Sequence, residues 1–111
     1  MALNGKYLAD AERLLSAGDY PQASEKYWGA MAEIVKAVAE KRAWRHSSHR
    51  DLRNAISRLH RETKDEELLR LFAIGEALQA NFYEDFMEPE DLRVYARDAQ
   101  TFVDKLRPLT A

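Results

Sequence analysis

Apolar residues recur every three or four positions along almost the whole chain. This spacing is typical of amphipathic helices that bury one face. No segment alternates apolar and polar residues between turn signals, as a half-buried strand would. We therefore predict an all-α fold, a compact antiparallel bundle of about five helices that forms one domain over residues 1–111. The expected helices cover about 4–17, 21–41, 48–62, 65–86 and 89–107.

Residues that commonly begin or end helices divide these segments. Gly18 suits the left-handed position that follows a helix, and Pro21 suits the first turn of the next one. Ser48 and Asp51 have the spacing of a capping box for helix three. The pair Thr63 and Glu66 has the same spacing, so we predict that it opens helix four.

Helix two has an apolar arc that covers more than half of its circumference. Beside its main face runs a second apolar strip, composed of Trp28, Ala32, Val35 and Ala39. Such a helix must be covered from two directions, so it is either the central helix of the bundle or part of a subunit interface. Because one antiparallel partner would not normally cover the strip, we predict a homodimer.

Helix four has a long apolar face that includes Gly75, Leu78, Phe82 and Phe86. The glycine predicts close packing of two helices. Gln79 is expected to project into the centre of this face, with Asn81 at its margin. A buried amide needs hydrogen-bond partners, so Gln79 has either a structural role or a place in the lining of a pocket.

Positive charge is concentrated in the middle of the chain. Residues 41–61 contain seven Lys or Arg and one acid, a net charge of +6, whereas the remainder of the −2 chain carries −8. All three histidines lie in the same stretch. An anionic partner is therefore expected to bind there.

The loop before helix three and its first turn combine cations, an aromatic ring and hydroxyls. Arginine forks, the face of an indole and the N–H groups of a helix start each bind phosphates or bases. We predict a site for a nucleotide or RNA phosphate, with these ligand-binding residues: Arg42, Trp44, Arg45, His46, Ser48, His49, Arg50 and, from helix four, Gln79. In the alternative, Trp44 fills the end of the bundle and the arginines are solvated or paired with acids.

Several kinds of site lack their motifs. Without cysteine there is no thiolate metal ligand or cysteine nucleophile, and no P-loop, Rossmann or nucleophile-elbow glycine pattern occurs. His46 and His49 have no evident third ligand. We expect no metal or cofactor and, with no apolar run of about 20 residues, no membrane segment and a cytoplasmic location.

Arg53 and His60 lie seven residues apart on helix three, so their side chains point the same way. A histidine that moves a proton and an arginine that binds phosphate would suit metal-independent RNA cleavage. Arg53 and His60 are therefore candidate catalytic residues. The same spacing also arises by chance in a basic helix.

Three segments resemble the PaREP family, whose small archaeal proteins are counted among the HEPN-like helical bundles. They are the opening hairpin at 18–26, Trp44 in the following loop, and the sequence Asn-Phe-Tyr-Glu at 81–84. The resemblance implies an HEPN-like bundle. The family pattern has Leu-His ahead of Asn-Phe-Tyr-Glu, whereas this chain has Leu78 and Gln79. The Arg, polar residue and His of HEPN ribonucleases are matched loosely, by residues 53, 54 and 60, in helix three.

The leading hypothesis is a non-enzymatic, HEPN-like homodimer that binds a nucleotide or RNA phosphate at its basic loop. One alternative is a metal-independent ribonuclease. The other is an adaptor that acts only through contacts with a protein partner.

Overall fold

The computed structural model describes residues 2–111 and confirms the all-α bundle. Its five helices are α1 Leu3–Ser16, α2 Tyr20–Lys41, α3 His49–Thr63, α4 Glu67–Glu84 and α5 Pro89–Leu106, followed by a 3₁₀ turn at Arg107–Thr110. No strand occurs within the described residues. None of the helices in this part of the chain has the length and apolar content to cross a bilayer.

Helix α2 is the centre of the bundle and packs against each of the other four helices. Both of its apolar strips are covered, because Val35 and Ala39 are fully buried and Ala32 is nearly so. The wide apolar arc thus belongs to a central helix. Of the strip that suggested a homodimer, Ala32, Val35 and Ala39 are buried within the chain, whereas Trp28 is half-buried.

Gly75 allows α2 and α4 to approach closely, as the sequence predicted. A β-carbon at this position would lie 2.7 Å from Met31 Cε and 3.1 Å from Trp28 Cε3. A β-carbon essentially never comes this close to another atom, so a larger residue would force the fully buried Met31 side chain to shift.

Three of the predicted boundary signals are confirmed, at Gly18, Pro21 and Ser48, and one is wrong. Gly18 has a φ of 82° after α1, and Ser48 forms the full capping box with Asp51 at the start of α3. Thr63 does not open α4: it is the last residue of α3, where its hydroxyl donates to the carbonyl oxygen of Leu59 at 2.8 Å. A threonine hydroxyl can bond the carbonyl one turn earlier, so the spacing alone did not decide which helix it serves.

The two amides of α4 have the reverse of their expected positions. Asn81 is fully buried, whereas Gln79 is half-buried. Phe86, expected in the core, is 56% exposed, because Asp85 adopts a left-handed conformation and ends the helix at Glu84. The apolar face of α4 is therefore shorter than its sequence suggests.

Candidate anion-binding site at the Trp44 loop

The end of α2 fixes the position of Trp44. The Trp44 N–H donates to the carbonyl oxygen of Ala39 at 2.8 Å, and the Ala43 N–H donates to that of Glu40 at 3.1 Å. These two bonds form a Schellman motif. Ala43 takes the left-handed conformation, with a φ of 58°, although glycine is the usual residue there. The motif turns the chain so that the Trp44 ring lies beside α3.

Two guanidinium groups lie against the ring of Trp44. The Cζ atom of Arg58 is 4.2 Å from the ring centroid, and that of Arg42 is 5.2 Å away. Both distances are within the range of cation–π interactions. Beside the ring lies an open cavity of about 380 Å³, lined by Ala43, Trp44, Arg45, Asp51, Asn54, Ala55 and Arg58. We refer to this cavity as the Trp44 cleft.

The basic stretch is only partly neutralised by acids. Arg42 forms an ion pair with Glu62, and Arg53 forms one with Glu76. Five cations of the stretch form no ion pair with any residue of 2–111: Lys41, Arg45, Arg50, Arg58 and Arg61. Two of these five, Arg45 and Arg58, line the Trp44 cleft. Pairing with the surplus acids therefore accounts for only two of the seven cations.

The start of α3 is occupied by its own carboxylate. Asp51 Oδ2 accepts hydrogen bonds from the backbone N–H and hydroxyl of Ser47, both at 3.1 Å, and from the Ser48 N–H at 3.3 Å. Partial burial raises the pKa of Asp51, but these hydrogen bonds outweigh it and hold the pKa below its usual value. The N–H groups of Ser47 and Ser48 are thus turned toward Asp51, whose own N–H donates to the hydroxyl of Ser48, the cap residue, at 3.0 Å.

His49 lies on the α4 side of α3, away from the Trp44 cleft. Its ring stacks on Trp28 with centroids 5.1 Å apart, and its Nε2 lies 2.8 Å from Glu76 Oε2. Burial raises the pKa of Glu76, but hydrogen bonds from Arg53 and His49 lower it below its usual value overall. His49 therefore links α3 to α2 and α4. His46 is half-buried in the loop.

Arg53 and His60 occupy one side of α3, about 10 Å apart along its axis, because a helix rises 1.5 Å per residue. The Arg53 guanidinium is engaged by Glu76, so its charge is already balanced. Arg53 and Arg58 lie about 140° apart around α3. Because Arg58 lines the Trp44 cleft, Arg53 and His60 lie on a different face of α3 from the cleft. Gln79 lies in a separate groove of about 180 Å³ with Glu25, Trp28, Phe82 and Tyr83.

Comparison with known proteins identifies the family. The model of the archaeal PaREP1/PaREP8 family matches residues 1–103. The chain belongs to this family. A crystal structure of a protein from Sulfolobus solfataricus has the same fold, with a TM-score of 0.89 and 20% identity over 100% of this chain and 98% of that one. No curated protein matches the chain.

The structure explains the Asn-Phe-Tyr-Glu segment of this PaREP1/PaREP8 chain. Asn81 Oδ1 accepts hydrogen bonds from the N–H groups of Phe86 and Met87, both at 2.8 Å. Its Nδ2 donates to Ser24 Oγ at 2.8 Å, and Ser24 donates in turn to the Tyr20 carbonyl oxygen. Asn81 thus connects the end of α4, the loop that follows it and the start of α2, and its role is structural.

Five residues of the Trp44 cleft were not among the predicted site residues: Ala43, Asp51, Asn54, Ala55 and Arg58. Arg58 and Asn54 lie on the face of α3 that the Trp44 loop approaches. Arg58 was counted in the basic stretch, but nothing in its spacing separates it from Arg61. Only the folding of the loop against α3 shows which arginine meets the ring. Within residues 2–111, no three His, Asp or Glu side chains gather as metal ligands.

Proposed function

We propose that this PaREP1/PaREP8 protein is a non-enzymatic binding module that holds a nucleotide or RNA phosphate in the Trp44 cleft. The observation that carries the proposal is the pair of arginines at the cleft without carboxylate partners, Arg45 and Arg58, the second of which lies over the Trp44 ring. A phosphate between them would form charge-assisted hydrogen bonds with both guanidinium groups.

Its position over the ring prepares Arg58 for this role. The ring face attracts the flat guanidinium and limits its rotation, and the N–H groups at the guanidinium edge stay free to donate. Less conformational entropy is then lost when an anion binds. Because the Cζ atoms of Arg58 and Arg42 lie 4.2 Å and 5.2 Å from the ring centroid, a base would stack on the outer face of a guanidinium, as occurs in RNA recognition. In this proposal Trp44 supports the cations, and the base stacks on a guanidinium group.

The rest of the cleft favours a nucleotide over a bare phosphate. The carboxylate of Asp51 and the amide of Asn54 line the same cavity as the two arginines. A carboxylate repels an anion but accepts hydrogen bonds from ribose hydroxyls and from base amino groups. The cleft would therefore place the phosphate at the arginine end and the sugar or base near Asp51 and Asn54.

We predict that Arg58→Gln weakens binding of a fluorescein-labelled single-stranded RNA about tenfold and lowers the slope of log K against log salt by about one. Fluorescence anisotropy between 50 and 200 mM salt measures both quantities. The matched control is Arg61→Gln, since Arg61 is exposed, has no carboxylate partner among residues 2–111, and lies outside the cleft. It should change affinity less than twofold. Equal losses in both variants, or no binding at 50 mM salt, would contradict the proposal.

The same RNA tests the ribonuclease alternative. We expect the RNA to stay intact, because the Arg53 guanidinium is held by Glu76 and would have to leave it before it could stabilise a transition state. Gel analysis after long incubation measures cleavage. Cleavage by the wild-type protein that is lost in His60→Ala would show that the protein is a ribonuclease and would contradict the binding-module proposal.

A homodimer remains our prediction for the assembly. Two aromatic side chains near the end of α4 are strongly exposed, Tyr83 at 77% and Phe86 at 56%, and we take them as the contact surface of the dimer. Sedimentation equilibrium should give a dimer, and Tyr83→Ser combined with Phe86→Ser should give a monomer. A monomeric wild-type protein at high micromolar concentration would contradict the prediction. If that protein also fails to bind RNA, the adaptor hypothesis becomes the best one.

A further inference from the structure

A second groove opens between α1, α2 and α5. It has a volume of about 290 Å³ and is lined by Glu12, Leu15, Tyr27, Arg93, Ala96, Arg97 and Gln100. None of these residues lines the Trp44 cleft, which is built from the α2–α3 loop and α3. We refer to this second cavity as the Tyr27 groove.

The hydroxyl of Tyr27 has no hydrogen-bond partner among residues 2–111, although only 3% of the residue is exposed. At the same time, every fully buried polar side-chain atom in the described residues has a partner. The Tyr27 oxygen is therefore not fully buried. Since Tyr27 lines the groove, its hydroxyl meets solvent there while its ring is held in the core.

The hydroxyl is a hydrogen-bond donor at neutral pH. Burial, and secondly the negative charge of Glu12, raise the pKa of Tyr27 to about 12. The phenol consequently stays protonated under ordinary conditions. A donor that is fixed by a buried ring and left without a protein acceptor is suited to an acceptor supplied by a ligand.

Two arginines supply positive charge to the same groove. Arg93 and Arg97 are one turn apart on α5, so they lie on one face. Neither forms an ion pair with a residue of 2–111. Gln100, one turn further, donates its amide N–H to Asp104. Leu15 and Ala96 add apolar surface beside these polar groups.

We propose that the Tyr27 groove binds the oxyanion of a small ligand, a carboxylate or a phosphate, between Arg93, Arg97 and the hydroxyl of Tyr27. Glu12 determines which source of the oxyanion fits better. Its carboxylate repels a free phosphate, but it can pair with the ammonium group of an α-amino acid whose carboxylate meets the arginines. The shared chemistry is an oxyanion bound by two guanidinium groups and one phenol.

Titration of the ¹⁵N-labelled protein with inorganic phosphate and, separately, with glycine tests the proposal by NMR. At least one probe should give saturable shifts of backbone amides near the groove in α1 and α5. Tyr27→Phe removes only the oxygen and keeps the ring, and it should weaken this binding about tenfold, because a hydrogen bond to a charged group is lost. Tyr95→Phe is the matched control, since Tyr95 lies on α5 in a different groove; it should bind like the wild type.

Glu12→Gln distinguishes the two sources of the oxyanion. Tighter phosphate binding in this variant would support a phosphate ligand, whereas weaker glycine binding would support an α-amino acid. The proposal is overturned if neither probe gives saturable shifts at the groove, or if a folded Tyr27→Phe protein binds as tightly as the wild type. Because this groove shares no residue with the Trp44 cleft, its failure would leave the RNA proposal unaffected.

Discussion

Replacing Asn81 by alanine should lower the free energy of unfolding by about 3 kcal/mol. The substitution removes three hydrogen bonds of 2.8 Å, one to Ser24 and two from the N–H groups of Phe86 and Met87. Leaving a buried polar group without its partner costs about 1–3 kcal/mol. The loss is partly offset because Phe86 is exposed, so water can reach its N–H. Urea denaturation with linear extrapolation measures the change.

Gln79→Ala is the matched control for this experiment. Gln79 is an amide on the same helix, but it is half-buried and makes no hydrogen bond with residues 2–111, so its truncation should cost less than about 0.5 kcal/mol. Equal losses of stability in both variants would show that the hydrogen bonds of Asn81 do not stabilise the end of α4.

Truncating Leu78 to alanine should cost about 2–5 kcal/mol. Leu78 is fully buried in the face of α4 that packs on the core, and the loss combines the transfer free energy of the missing atoms with the cavity they leave. The range reflects how far the neighbouring side chains can close that cavity. Calorimetry and urea denaturation should agree if unfolding is two-state, as is usual for a domain of this size.

Phe82→Ala provides the comparison one turn further along α4. Its ring is half-buried and lies edge-on to the exposed Tyr83, with centroids 4.8 Å apart. Because much of its contact surface is near solvent, we expect about half the loss of Leu78→Ala, although phenylalanine is the larger side chain. A larger loss at Phe82 than at Leu78 would mean that the core does not extend along α4 as the structure has it.

Both proposed sites combine unpaired arginines with an aromatic side chain, but the aromatic side chain has a different role in each site. In each, arginines without carboxylate partners lie beside an aromatic side chain anchored in the bundle: Trp44 supports Arg58 with its ring, and Tyr27 offers its hydroxyl next to Arg93 and Arg97. The RNA and small-anion titrations examine the two sites independently.

The sequence by itself determined the helices and several of their ends. The apolar spacing of α1 to α5, the left-handed glycine after α1 and the capping box of Ser48 and Asp51 depend on residues at most a few positions apart. The close packing at Gly75 was also foreseen, because only a close neighbour favours glycine within an apolar helix face. The resemblance to the PaREP family was correct as well.

Only the tertiary structure decided which polar groups are buried, paired or free. Gln79 and Asn81 lie about 200° apart around α4, and the helices packed against α4 determine which of the two is enclosed. Likewise Glu76 forms an ion pair with Arg53, although 23 positions separate the two residues in sequence. Arg58, on the same helix as Arg53, contacts Trp44 and forms no ion pair with an acid of residues 2–111. Helix formation depends on neighbours in sequence, but ion pairs, buried amides and clefts depend on neighbours in space, which periodicity does not specify.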